Sequence, residues 1–129
     1  MTESETPIAV LLVEDNDVYR ESLVFLLRRV EGLEVVGAVA DGAAATPACL
    51  ELGPDVVVLD FRLPDIDGAE VAADLRAKCF GIAIVFLSAS AGQDEYDAAS
   101  RTGAALVRKD EGVDALVSAV RAAAGRRCE

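Results

Sequence analysis

Short apolar runs separated by longer amphipathic stretches organise this chain. Five runs stand out, at residues 8–13, 35–40, 56–59, 82–87 and 105–107. They are brief and mostly β-branched, with little polar alternation. Each is predicted to be a β-strand covered on both faces. Between them the apolar period lengthens to three and four residues. Leu23, Leu26, Leu27 and Val30 form such a stripe after the first run, and Val113, Leu116, Val117 and Val120 after the last. One-faced helices are expected there. Residues 43–52 and 69–78 are predicted as the second and third helices, Pro47 making the second start late or kink. Residues 94–102 are weakly apolar and form the least anchored helix. The apolar pattern ends at Ala124.

This order, strand and helix alternating five times, implies an α/β fold: a doubly wound parallel sheet with helices on both faces. Right-handed crossovers leave few topologies, and at this length the flavodoxin-like strand order 2-1-3-4-5 is the expected one. One domain spanning 7–124 is expected, with a tail at 1–6 and another at 125–129. There is no repeat, linker or low-complexity tract.

Composition narrows the function classes. An apolar fraction of 53% argues against disorder despite a net charge of −11. No apolar run approaches the roughly 18 residues of a membrane span, and the acidic N-terminus does not read as a secretory signal. A cytoplasmic protein with no membrane contact is expected. The acidic balance argues against direct nucleic-acid binding. Cys49, Cys79 and Cys128 are far apart, and with no histidine in the chain they read as free thiols rather than a zinc or disulfide framework. Only two of the twelve cationic residues are lysines, Lys78 and Lys109, which draws attention to where Lys109 falls.

Polar residues follow the strands in a telling way. Glu14 and Asp15 follow the first, Asp60 ends the third, Ser88 follows the fourth, and Arg108 and Lys109 follow the fifth. In a parallel sheet all these ends lie on one edge, and ligands bind where the strand order reverses. Glu14, Asp15 and Asp60 would meet in that crevice, with Ser88 and Lys109 beside it. Three carboxylates so close repel one another unless a cation compensates, and a hard divalent ion such as Mg2+ suits oxygen ligands. A metal, a lysine, a hydroxyl and a carboxylate nucleophile together suit phosphoryl transfer. Taken singly, each residue has a plainer reading. Asp15, Asn16 or Asp17 could cap the first helix, Glu14 could be an exposed loop acid, and Ser88 and Lys109 could be ordinary turn and surface residues. The segment from Pro64 to Gly68 reads as a turn with Asp67 capping the next helix. Tyr19 and Tyr96 have no context that marks them as functional.

At these positions the sequence resembles the CheY-like receiver domains of two-component response regulators. The matching segments are Val10-Leu-Leu-Val-Glu-Asp-Asn, the stretch from Pro54 to Gly68, Ile84-Val-Phe-Leu-Ser-Ala and Val107-Arg-Lys-Asp. The resemblance covers about residues 7 to 124. It implies that Asp60 is phosphorylated, that Glu14, Asp15, Asp60 and the backbone carbonyl of Arg62 hold Mg2+, and that Ser88 and Lys109 bind the phosphoryl group. It also implies a sensor histidine kinase or histidine phosphotransfer protein as donor, a downstream effector as recipient, and a second copy of the chain as a further partner. Two departures matter. Leu106 stands where the family often has an aromatic residue, so no aromatic rotamer is expected to follow Ser88. Asp110 follows the lysine in place of proline. With Leu33-Glu-Val-Val-Gly, that feature resembles the NarL-type branch, and implies as an alternative the receiver half of a transcription factor whose DNA-binding domain lies outside this chain. A remoter alternative is a haloacid-dehalogenase-like phosphatase, suggested by Asp15-Asn16-Asp17. The main expectation is a signalling switch, not an enzyme.

Overall fold

The structure, a computed structural model, describes residues 6–89 and 92–127. Most of the expected N-terminal tail and Cys128 lie outside those residues. Five strands and five helices alternate: β1 (Ile8–Val13), α1 (Asp17–Arg28), β2 (Leu33–Val39), α2 (Ala45–Leu52), β3 (Val56–Asp60), α3 (Gly68–Lys78), β4 (Ala83–Ser88), α4 (Gln93–Thr102), β5 (Ala105–Arg108) and α5 (Val113–Arg127). All strand pairs are parallel, in the order β2-β1-β3-β4-β5. This is the flavodoxin-like topology expected from the sequence.

Alternation along each strand divides the core into two layers. Val10 and Leu12 of β1, Val56 and Val58 of β3, and Val85 and Leu87 of β4 face α1 and α5, meeting Leu23, Leu27, Leu116 and Val120. Leu11 and Val13, Val57 and Leu59, and Ile84 and Phe86 face the opposite way, toward Cys49 of α2 and Val71, Ala72 and Leu75 of α3. Period-two side-chain placement accounts for the split, and burial on both faces explains why the strands read as unbroken apolar runs.

The boundaries differ from the expectations in physically simple ways. The second helix does start late. Gly42–Ala44 form a 3-10 turn capped by Asp41, and α2 begins at Ala45, placing Pro47 in its first turn where its missing N–H costs nothing. β2 begins at Leu33, two residues early, because Leu33 enters the core and pairs with Ile8. The β1–β2 register shifts between Val10, opposite Val35, and Leu11, opposite Gly37, which leaves Val36 as an extra residue in β2. A Cβ at Gly37 would sit 2.6 Å from Leu52 Cδ1, the end of a partly exposed side chain that would have to turn aside. α5 continues to Arg127, three residues beyond the end of the apolar pattern. Helix α4 buries Ala98 and Ala99, two small apolar residues, and leaves Tyr96 45% exposed, in keeping with its weak apolar pattern. Among the described residues no helix is long and apolar enough to cross a membrane.

Candidate functional site

β1 pairs with both β2 and β3, so the order reverses between β1 and β3, and their C-terminal ends open the crevice. Glu14 follows β1 directly and is 1% exposed; Asp60 is the last residue of β3 and is 5% exposed. Asp15 is exposed beside them. Oxygens of Glu14, Asp15 and Asp60 all lie within 4.8 Å of one another. Lys109, one residue past β5, reaches across the edge to Glu14 Oε1 at 2.9 Å and Asp60 Oδ2 at 3.3 Å. Four of the residues singled out from the sequence are therefore in one cluster.

Local structure orients Glu14 and Asp60. Asn16 caps α1, accepting from the Tyr19 amide at 2.8 Å, and its own amide donates to Glu14 Oε2 at 3.0 Å. The capping role left open among Asp15, Asn16 and Asp17 thus falls to Asn16, and Asp15 is left pointing no cap at the helix. The Arg62 amide donates to Asp60 Oδ1 at 3.1 Å. Asp67 caps α3 through the Ala69 amide at 3.0 Å, as the turn reading anticipated. Asp65 of the same loop accepts from the amides of Gly42 and Ala43, both at 2.9 Å, tying the β3–α3 loop to the turn before α2.

The electrostatics are those of a site short of positive charge. Burial pushes the Asp60 carboxyl up from 3.8 to about 6; the Arg62 amide and Lys109 oppose this, while neighbouring Glu14 adds to it. Burial works against the Lys109 ammonium, but Glu14 and Asp60 outweigh it and hold its pKa above the usual lysine value. Glu14 Oε1 is buried and accepts no well-aligned hydrogen bond, its charge being met by the Lys109 ammonium. Three carboxylates facing one ammonium leave an excess of two negative charges. An all-oxygen donor set with that excess fits a hard divalent cation.

Three residues at the site escaped the sequence reading. Tyr19 lies under Lys109, whose ammonium sits 4.6 Å from the ring centroid in a cation–π contact. Burial, opposed by Lys109, raises the Tyr19 phenol pKa. Its place in the first turn of α1, three residues after the cap, was the available signal. Arg20 donates from Nη1 to the Glu14 carbonyl at 2.8 Å, bracing the end of β1. Glu95, in the first turn of α4, is 1% exposed. It accepts from Ser88 Oγ at 2.6 Å and from Arg62 Nε at 3.0 Å. Ser88, the fifth predicted residue, is buried at the end of β4 next to Asp60's strand, with its hydroxyl directed to Glu95. Arg62 follows Asp60 by two residues, with its amide on the carboxylate and its side chain, 77% exposed, on Glu95.

Comparison with known proteins agrees with this architecture. Residues 10–121 match the response regulator receiver domain family. A protein-glutamate methylesterase/protein-glutamine glutaminase of Myxococcus xanthus is 37% identical, the match covering 93% of this chain and 38% of the relative. A probable transcriptional regulatory protein NarL of Mycobacterium tuberculosis is 34% identical, over 88% of this chain and 53% of the relative. Thus the chain spans about two-fifths to one-half of the length of these curated relatives. Among solved structures, a two-component response regulator of the LuxR family from Aurantimonas sp. SI85-9A1 superposes with a TM-score of 0.87 at 30% identity, covering 94% of this chain and 87% of that one. With the strand order, the acidic crevice and the match along nearly the whole sequence, the chain belongs to the response regulator receiver domain family.

Proposed function

We propose that this receiver accepts its phosphoryl group on Asp60 and converts that event into a shift of α4. The observation that carries the reading is the setting of Asp60: a buried strand-end carboxylate 3.3 Å from Lys109 and clustered with Glu14 and Asp15. At neutral pH a carboxyl titrating at about 6 is mainly ionised, so it is a competent nucleophile. An Asp60 oxygen attacks phosphorus on the donor's phosphohistidine. The new O–P bond forms as the N–P bond breaks, and the bonding electrons leave with the imidazole nitrogen. Lys109 neutralises a phosphoryl oxygen, and Ser88 supplies a hydroxyl donor. Mg2+ held by Glu14, Asp15, Asp60 and the Arg62 backbone carbonyl would add the charge neutralisation on which such transfers depend.

The donor in this reading is a cytoplasmic sensor histidine kinase or histidine phosphotransfer protein, and the recipient an effector protein or domain that reads α4, β5 and α5. The chain acts as a switch rather than as an enzyme on a separate substrate, and the domain expected over 7–124 is taken to continue to the end of α5, into the tail expected from 125. The proportions of its relatives support a second reading of its context, as the receiver portion of a longer NarL-like or methylesterase-like protein.

Incubation with a small acyl phosphate and magnesium, followed by mass spectrometry, should add one phosphoryl group to the parent and none to Asp60→Asn. Equal labelling of both would overturn the assignment. The Glu14→Ala/Asp15→Ala double variant should bind magnesium roughly tenfold or more weakly, since two of the oxygen ligands are gone. An unchanged affinity by calorimetry would remove those acids from the metal site.

A further inference from the structure

Once Glu14, Asp15 and Asp60 are assigned to the crevice, one buried carboxylate is left over. Glu95 is 1% exposed on the first turn of α4, and its oxygens gather donors from three elements. Ser88 Oγ at the end of β4 donates to Oε1 at 2.6 Å. The Gly92 amide, at the start of α4, donates to the same oxygen at 3.3 Å. Arg62 Nε, from the loop after β3, donates to Oε2 at 3.0 Å. A carboxylate so enclosed is retained only where its hydrogen bonds are made, so its contacts define one arrangement of the three elements.

We infer that Glu95 is the positioning residue of the switch, holding the Ser88 hydroxyl proton until a phosphoryl group on Asp60 takes it. The inference rests on the roles given to Asp60 and Ser88 above. A serine hydroxyl has one proton to donate. It cannot serve Glu95 and a phosphoryl oxygen together. Both acceptors are anionic, so the exchange is close to balanced in strength, and what happens to the abandoned acceptor decides the outcome. Without Ser88, Glu95 Oε1 keeps only the longer Gly92 contact of those described above, while Oε2 remains bound to Arg62. An under-bonded buried carboxylate oxygen is costly. The Arg62 side chain is 77% exposed, so the pair has a route toward water. Glu95 travels with the first turn of α4, and the apolar residues α4 buries are Ala98 and Ala99, which offer little area to resist the shift. Rotation of one hydroxyl is thereby coupled to displacement of a helix, without the aromatic side chain that Leu106 replaces.

The experiment is calorimetric binding of beryllofluoride, a phosphoryl mimic, in excess magnesium. Glu95→Ala frees the Ser88 proton and should bind the mimic about tenfold more tightly, the scale of one hydrogen bond to a charged group. Glu95→Gln keeps an acceptor for Ser88 but loses the charge, and should tighten binding about threefold. In a Ser88→Ala background the same substitutions should change affinity less than twofold, which a merely structural role of Glu95 would not produce. Amide NMR shifts of α4 in Glu95→Ala without mimic should move toward their mimic-bound positions. Unaltered or weakened binding in both Glu95 variants overturns the inference, as does equal tightening with and without Ser88. If Glu95→Ala does not fold, Glu95→Gln decides by the same comparison. A parent that binds no beryllofluoride overturns the Asp60 reading, and the role of Glu95 with it; a parent that binds with indifferent Glu95 variants overturns the Glu95 role alone.

Discussion

Replacing Asp60 by asparagine should make the metal-free protein more stable, although it removes the carboxylate proposed to accept the phosphoryl group. The carboxyl titrates at about 6 in the folded chain against 3.8 as its ordinary value. A raised folded pKa favours folding while the group is protonated. That contribution is fully present below about 3.8 and is lost as pH rises through about 6. At pH 7 and above, the ionised Asp60 therefore weakens the fold by at most about 3 kcal/mol relative to its protonated form. Asparagine removes the charge at nearly constant volume. It also removes one partner of Lys109, but the ammonium keeps Glu14 at 2.9 Å and so is not stranded. The relief from burying a charge outweighs the lost Lys109 contact, and a net gain of about 1–3 kcal/mol is expected at pH 7.5 in chelator. At roughly 4 °C per kcal/mol for a domain of this size, the melting temperature should rise by about 4–12 °C. At pH 4 the parent is itself protonated at Asp60, and the two melting curves should nearly coincide. Thermal unfolding at both pH values, with magnesium excluded, measures the difference. A variant that melts below the parent at pH 7.5, or a gain of equal size at pH 4, would refute the reasoning.

Two further outcomes follow from packing. An added Cβ at Gly68 would sit 2.5 Å from the Phe61 carbonyl oxygen and 2.8 Å from its Cα, both backbone atoms that cannot swing aside. Gly68→Ala should therefore cost about 2–3 kcal/mol in denaturant titration, and an unchanged midpoint would mean that the loop after β3 yields freely. Burial, reinforced by the adjacent Cys79 thiol, pushes the Cys49 thiol up to about 12. Cys49 should stay unmodified by iodoacetamide at pH 8 in the native protein and react once denatured, as peptide mass mapping would show; rapid native labelling would contradict its burial.

The parts of the fold legible in the sequence were those governed by long-range burial. Strands such as 56–59 declare themselves because both faces are covered, and the edge rule then gathers Glu14, Asp60 and Lys109 without knowledge of any distance. Boundaries were less legible where a neighbour decides them. Leu33 joins β2 because β1 offers it a partner at Ile8, which local pattern does not encode. Glu95 was not legible at all. A glutamate in the first turn of a helix ordinarily favours the helix dipole from a solvated position, and nothing nearby in sequence announces Ser88 and Arg62 as its partners. Tyr19 was hidden for the same reason: its role depends on Lys109, which lies at the far end of the chain and arrives through the fold.

The extra residue in β2 bears on how molecules of this protein meet one another. β2 is an outer strand, seven residues long and mostly apolar, the kind of border onto which a strand from a neighbouring molecule could be added. The offset at Val36 interrupts the even spacing of its amides and carbonyls, so an incoming strand would find matching partners for only a few residues before falling out of step. With a net charge of −11 opposing close approach, that interruption is expected to disfavour edge-to-edge, fibrous self-association in concentrated solution.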